Sequence, residues 1–296
     1  MMKKIIILGI TILIISCLKP PRDNPYDPDN PNKANLTGIV RSADGRIAGA
    51  EVKLYTIDDE LYDTTSTDDQ GMFEFTKINP GIYKVKAFAP YYLPAECEPE
   101  SLPAGSSDTI ELYFYGIKFT FDDDTVGTIE PFDFRRIFGN WKVMPDTTAP
   151  SEPNVYNCYG QKGLVLYNKE VSDFSIGVNF KFNSPIDTLS NTGIILRLKD
   201  SLNHYVVLAS RRILSFVKIK NGTPTTLATA QIDIFHNQWY ELWVEAYGEH
   251  YKVYFDGELK IDKSDGEFSK GMIGLWVNRE QPPQISVNFD DVVIFR

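Results

Sequence analysis

The sequence predicts an all-β protein made of two successive β-sandwiches. Three observations carry this expectation: short runs of alternating apolar and polar residues recur along the chain, turn residues separate them, and aromatic residues make up 13% of a composition that also holds 20 glycines and 18 prolines. Alternation with period two marks half-buried strands, because successive side chains point to opposite faces. No stretch has the apolar spacing of a convincing amphipathic helix. At 296 residues the chain suits two domains, and many antiparallel strands without helices must close as packed sheets or a barrel.

The first element is a leader. Lys3-Lys4 precede an apolar run from Ile5 to Ile15, followed by Ser16-Cys17. The run falls short of the roughly 20 residues a membrane span needs and has the length of a signal-peptide core. With Ile14 three positions before the cysteine and Ser16 just before it, the segment resembles the lipobox of bacterial lipoproteins. The resemblance implies cleavage before Cys17 and acylation of Cys17, so that residues 1–16 are a signal peptide and Cys17 begins an anchor and tether over residues 17–34. Several acyl chains give stable attachment where one would be marginal. The implied location is the bacterial cell envelope, and Leu18, where aspartate retains some lipoproteins at the inner membrane, favours the outer membrane in a cell that has one.

Residues 18–34 carry five prolines and little to bury, which predicts an extended spacer reaching about 50 Å. A formal net charge of -10, made more negative by loss of Lys3 and Lys4 with the leader, disfavours nucleic acid and anionic membrane surfaces as partners.

Residues 35–116 form the first expected sandwich. Leu36–Val40, Ala50–Tyr55, Met72–Phe75 and Ile82–Phe88 read as strands. Phe73, Phe75, Tyr83 and Val85 are the inward residues, and Gly71 and Gly81 supply positive φ at turns. The run Thr67-Asp-Asp-Gln-Gly71-Met-Phe-Glu-Phe75, followed by Pro80-Gly81-Ile-Tyr83-Lys-Val85, closely resembles the carboxypeptidase regulatory-like domain. That resemblance implies a transthyretin-like sandwich that brings no catalytic residues.

Residues 117–296 form the second. Strands are expected at Phe174–Phe182, Gly193–Lys199, Tyr205–Ala209, Leu214–Lys220, Tyr240–Ala246, Tyr251–Phe255, Met272–Asn278 and Ile285–Phe289, with a turn at Asp256-Gly257. Phe121-Asp122, Gly139-Asn-Trp141, Gly193-Ile-Ile-Leu-Arg197, Asn203-His-Tyr205, Trp239-Tyr-Glu-Leu242, Val253-Tyr-Phe-Asp-Gly257, Gly271-Met-Ile-Gly-Leu-Trp276 and Phe289-Asp-Asp291 together resemble the concanavalin-like jelly rolls. That group includes laminin-G-like domains, family-16-like glycoside hydrolases and the 3-keto-disaccharide hydrolase domain. Cys97 and Cys158 fall in different domains without metal-ligand neighbours, which favours two free thiols over an interdomain disulfide.

Strand parity nominates a ligand site. Tyr240, Leu242, Val244 and Ala246 share an inward face, leaving Trp243 outside between Glu241 and Glu245. Ile273, Leu275 and Val277 likewise leave Trp276 outside with Asn278, and Ile194, Leu196 and Leu198 leave Arg197 outside. Arg197, Tyr205, Trp243, Trp276 and Asn278 are therefore candidate carbohydrate contacts, since a sugar's apolar face stacks on aromatic rings while planar donors bind its hydroxyls. Trp141 and Trp239, at strand starts, are expected in the core.

Catalysis finds less support. Retaining enzymes of the family-16 type carry Glu-x-Asp-x-x-Glu or a one-residue-shorter form, and the chain has no Glu-x-Asp. Glu241 and Glu245 would stand about 13 Å apart by strand rise, beyond the roughly 5–9.5 Å of paired glycosidase carboxylates. No Gly-x-Ser-x-Gly elbow is present. Asp122, Asp124 and Asp290, at the two ends of the second domain, could meet around one structural calcium, which prefers such oxygen ligands. The expected function is binding of a polysaccharide without cleavage; the alternatives are a glycan-acting hydrolase and an architectural surface protein.

Overall fold

A computed structural model describes residues 24–296, so the leader, Cys17 and the start of the proline-rich segment lie outside the described residues. Among the described residues there are strands, turns and bends but no helix. The first domain contains β1 (Ala34–Ser42), β2 (Gly45–Arg46), β3 (Glu51–Thr56), β4 (Leu61–Ser66), β5 (Met72–Ile78), β6 (Gly81–Phe88), β7 (Ala95–Glu96), β8 (Glu100–Leu102) and β9 (Ser107–Phe114). One sheet runs β5-β1-β9 with β2 folding back on β1. The other runs β4-β3-β6 with β7 and β8 on the free edge of β6. Phe73, Phe75, Tyr83 and Val85 all face the core between them, alongside Leu36, Val52 and Leu54. Gly71 has φ 69°, as its turn requires. Gly81 does not adopt a left-handed φ, contrary to expectation; it lies beside the Tyr83 ring, 3.2 Å from where a Cβ would stand.

The described part of the proline-rich segment is not an extended spacer. Residues 24–32 repeat Asx-Pro-Xaa three times, and in each triplet the Asx side chain accepts from the backbone N–H two residues on: Asn24 from Tyr26, Asp27 from Asp29, Asn30 from Asn32. Backbone bonds from Asp27 N–H to Asn24 O and from Asn30 N–H to Asp27 O close successive turns. Proline at the second position presets φ for each turn and the Asx side chain locks it. This ribbon docks on the first domain through Ala104 N–H to Pro25 O, Tyr26 to Ser101, and the buried Asn30.

The second domain contains β10 (Gly116–Phe119), β11 (Phe134–Pro145), β12 (Asn154–Val171), β13 (Phe174–Phe182), β14 (Ser190–Asp200), β15 (Asn203–Ser210), β16 (Ile213–Lys220), β17 (Thr223–Gln231), β18 (Trp239–Tyr247), β19 (His250–Phe255), β20 (Glu258–Ser264), β21 (Gly271–Arg279) and β22 (Ile285–Phe295). Its strand order is β17-β16-β15-β14-β21-β12-β22-β13-β18-β19-β20, with β10 on β22 and β11 on β12. The long β12 joins two layers. Its first half pairs with β22 and its second half with β21, and the outer strands β17 and β20 come together at the far side. At the join, a side chain on Gly163 would collide with Cys158 Sγ and the Trp141 indole, so only glycine lets the strand pass this close. The result is a jelly-roll sandwich with one continuous core. Asp256 and Gly257 both have positive φ, as a tight hairpin turn requires.

The domains are held together by the β6–β7 connection. Tyr91 stacks on Phe132 at 4.4 Å, Leu93 N–H donates to Gly116 O at 2.9 Å, and Lys118 N–H donates to Tyr91 O at 2.7 Å. Asp44, in the β1–β2 turn, pairs with Lys169 and Arg296. Burial alone would raise the Asp44 carboxyl, but these two cations outweigh it and hold it below its ordinary value. Cys97 and Cys158 are free thiols, and burial pushes the Cys158 thiol up to about 12.

Candidate functional site

The residues nominated from strand parity do not form one site. Arg197 is fully buried, with φ 47° at an irregularity where the pairing of β14 to both neighbours shifts register. The shift reverses parity from that point. Leu198, expected inward, lies with Ile195 on the outer apolar cluster, while Arg197 turns into the end of the core. Its guanidinium donates to Ser172 O at 2.7 Å, Gly248 O at 2.8 Å, Phe268 O at 2.9 Å and Tyr251 Oη at 2.7 Å, and lies over the Tyr251 ring. Buried among these acceptors, with Asp173 3.7 Å from Nη2, the guanidinium presents no surface to a sugar.

Tyr205 is also in the core, sharing parity with Val207 and Ala209. It donates to Asp265 Oδ1 and accepts from Phe268 N–H, and Asp265 in turn pairs with Lys218 at 2.6 Å. Trp243 does lie outside, between Glu241 and Glu245, but on the other layer. Its ring covers Gly177, where a Cβ would be 2.2 Å from the indole. The hollow beside it is about 100 Å³, well below the roughly 300 Å³ of a ligand pocket. Trp141 is buried as expected. Trp239 is only half-buried, lying over Lys181 and donating to Thr148 Oγ1.

The expected calcium cluster does not fit its residues. Asp122 Oδ1 accepts from Asn154 N–H at 3.0 Å, and the Asp122 and Asp124 carbonyls accept from Asn154 Nδ2. Asp290 is fully buried, accepting from the N–H groups of Ser151 and Asp291 at 2.8 and 2.7 Å. Protein donors thus make the clamp on the domain's ends. Among the described residues no group of three or more His, Cys, Asp or Glu could hold a metal ion.

Trp276 and Asn278 do share a groove. It lies on the outer face of the layer β17-β16-β15-β14-β21-β12 and has a volume of about 520 Å³, within the range of small-molecule sites. Inward residues Ile194, Leu275 and Val277 hold that layer on the core, which fixes Trp276 and Asn278 outward. Cross-strand register sets the groove in rows. Lys162, Asn278 and Asn191 form a polar row; Leu164, Trp276 and Leu208 follow around Gly193; then come Ile195, Val206 and Val217; His204 and Ile219 complete the other end. Leu164, Leu166, Ile195 and Val206 are nearly closed off by their own neighbours, and Phe138 packs edge-on against Trp276. At Gly193 a Cβ would stand 1.8 Å from Val207 O, so the floor between Trp276 and Leu208 has no room for a side chain.

The polar end is braced from behind. Arg279, nearly buried, makes a bidentate pair with Asp187 at 2.8 and 2.7 Å and donates to Gln281 O, fixing the ends of β14 and β21 next to Asn191 and Asn278. At the other end, burial holds the His204 imidazole below its ordinary value, against a pull upward from Asp200, so it is neutral at pH 7. Lys162 and Asn191 lay in no motif of the sequence, and His204 only in one that marked the jelly roll; the cross-strand register brings all three into the groove of Trp276. Glu280 is the one carboxylate among the residues lining the groove.

Residues 35–114 match the family described as the carboxypeptidase regulatory-like domain. A levanase of Bacillus subtilis (strain 168) is 28% identical over 187 residues, covering 59% of this chain and 27% of that protein; the chain thus spans about a quarter of the length of this curated relative. Among solved structures, the carbohydrate-binding module CBM66 from Bacillus subtilis is similar with a TM-score of 0.47 at 22% identity, over 57% of this chain and 98% of that one. A β-glucanase from Bacillus licheniformis is similar with a TM-score of 0.43 at 10% identity, over 59% and 100%. The chain therefore carries a carboxypeptidase regulatory-like domain, followed by a jelly-roll β-sandwich with an open groove on one face.

Proposed function

We propose that this is a lipid-anchored protein of the bacterial cell envelope, favouring the outer membrane, whose second domain binds a polysaccharide in the Trp276 groove without cleaving it. The observation that carries this reading is an open groove in which the partly exposed Trp276, Leu208 and Val217 lie beside the polar row Lys162, Asn278 and Asn191. A sugar ring needs both surfaces at once: an aromatic or aliphatic floor for its C–H face and amide groups for its hydroxyls. The levanase likeness supports a glycan ligand, and its name makes levan the first polysaccharide to test. Hydrolysis by paired carboxylates needs two such groups across the bond, and the groove is lined by Glu280 alone.

Titration of the detergent-solubilised full chain with levan, β-glucan and xylan tests the reading. Trp276→Ala is expected to weaken binding of the preferred polysaccharide at least tenfold in protein that circular dichroism shows to be folded; equal binding by variant and wild type would place the ligand elsewhere. Release of reducing sugar during the titration would overturn the non-catalytic part. Anchoring rests on the lipobox resemblance at Cys17. Radiolabelled palmitate should enter the wild-type chain and not Cys17→Ser, whereas equal labelling of both would remove the anchor from the proposal.

A further inference from the structure

The groove's length and its two ends suggest what kind of glycan it takes. Asn191 stands opposite Ser210 on β15, and His204 lies six residues along that same strand. At about 3.3 Å per residue the two are about 20 Å apart along the groove, far more than one sugar ring. Both side chains line the groove, and both hold a buried polar atom without a partner: Asn191 Oδ1 and His204 Nδ1. Such atoms are uncommon in folded proteins and costly to leave unpaired, so two at opposite ends of one groove call for an explanation. Both atoms are closed off from water, so the amide and the imidazole must turn about χ2 to meet a ligand in the groove. Between them the floor is apolar, with Trp276 nearer the Asn191 end.

Resting on the glycan reading above, we propose that the groove holds an internal stretch of a neutral, extended glycan lying along the strands, with one end read by Asn191 and the other by His204. An aliphatic chain or apolar peptide side chains would leave both polar atoms unpaired. A chain of sugars presents C–H faces to the floor and hydroxyls at intervals along its rim, which pair with both. Trp276 then stacks under a ring close to the Asn191 end, and His204 is reached only by oligomers long enough to cross the middle rows. The acidic net charge of the protein disfavours an anionic polysaccharide.

The test is a titration of the detergent-solubilised full chain with levan oligosaccharides from monosaccharide to hexasaccharide, with matching β-glucan and xylan ladders. Affinity is expected to rise at least tenfold from the disaccharide before reaching a plateau. His204→Ala and His204→Gln should each weaken the longest oligomers about fivefold, the loss of one hydrogen bond, and leave the disaccharide unchanged. Asn191→Ala should weaken all lengths. Affinity that is independent of length, or an equal effect of His204→Ala on short and long oligomers, would overturn the proposal. If Trp276→Ala still abolishes that length-independent binding, glycan recognition stands and only the extended mode is lost. No binding by any oligomer or parent polysaccharide would sink both readings together.

Discussion

Replacing Arg197 by alanine is expected to destabilise the second domain by about 3–5 kcal/mol while leaving glycan affinity per folded molecule unchanged. Its guanidinium is buried and serves carbonyls from three separate places, Ser172, Gly248 and Phe268, together with Tyr251 Oη. Removal takes a charged donor from all four, and leaves the Phe268 carbonyl and the Tyr251 hydroxyl, whose bonds to it are buried, short of a partner at a desolvation cost. Arg197→Lys is expected to recover little, because one ammonium cannot present the same planar fork to four acceptors. Urea unfolding measures the loss, and oligosaccharide titration of the folded fraction measures the rest. A variant of near wild-type stability that no longer bound glycan would return Arg197 to the ligand site and contradict its burial.

The second large effect concerns pH. Burial pushes the Asp290 carboxyl up to about 7 from an ordinary 3.8, with the charges of Asp291 and Asp122 adding to it and the N–H groups of Ser151 and Asp291 opposing. From about pH 4 to pH 7 the folded state therefore keeps a proton that the unfolded chain has released. Stability contributed by this group is full below about pH 4, declines as pH rises through that window, and is level above it. The unfolding free energy of wild type relative to Asp290→Asn should fall by on the order of 3 kcal/mol between pH 4 and pH 8. A difference independent of pH, or a carboxyl carbon shift titrating near 4, would refute the assignment.

Where strands are regular, parity read from the sequence placed the side chains. Leu242 and Val244 are inside with Trp243 outside, and Leu275 and Val277 are inside with Trp276 and Asn278 outside. It failed at Arg197 because an irregular strand reverses its faces, and nothing in Gly193-Ile-Ile-Leu-Arg197 announces where the irregularity falls. Tyr205 was legible, since it shares parity with the buried Val207 and Ala209; its polar hydroxyl misdirected the reading, yet Asp265 and Phe268 satisfy that hydroxyl inside. The long β12 escaped notice because Tyr159-Gly-Gln-Lys-Gly163 breaks its alternation where it passes between layers. The groove was only half legible. Trp276 and Asn278 follow from one strand, but Asn191, His204 and Lys162 join them through register between strands, which local sequence does not encode.

The pairing of β1 with β9 has a mechanical consequence. The two strands run parallel, in register from Asn35 opposite Ser107 to Ser42 opposite Phe114. The anchored end of the proposed assembly enters at the start of β1, and the glycan-holding domain leaves from the end of β9. If the proposed anchor and ligand are both engaged, tension between membrane and polysaccharide pulls the two strands past each other along their length. In that direction the ladder's hydrogen bonds share the load, whereas strands drawn apart from one end would give way one bond at a time. The small first domain thus sits in the line of force as a shear clamp.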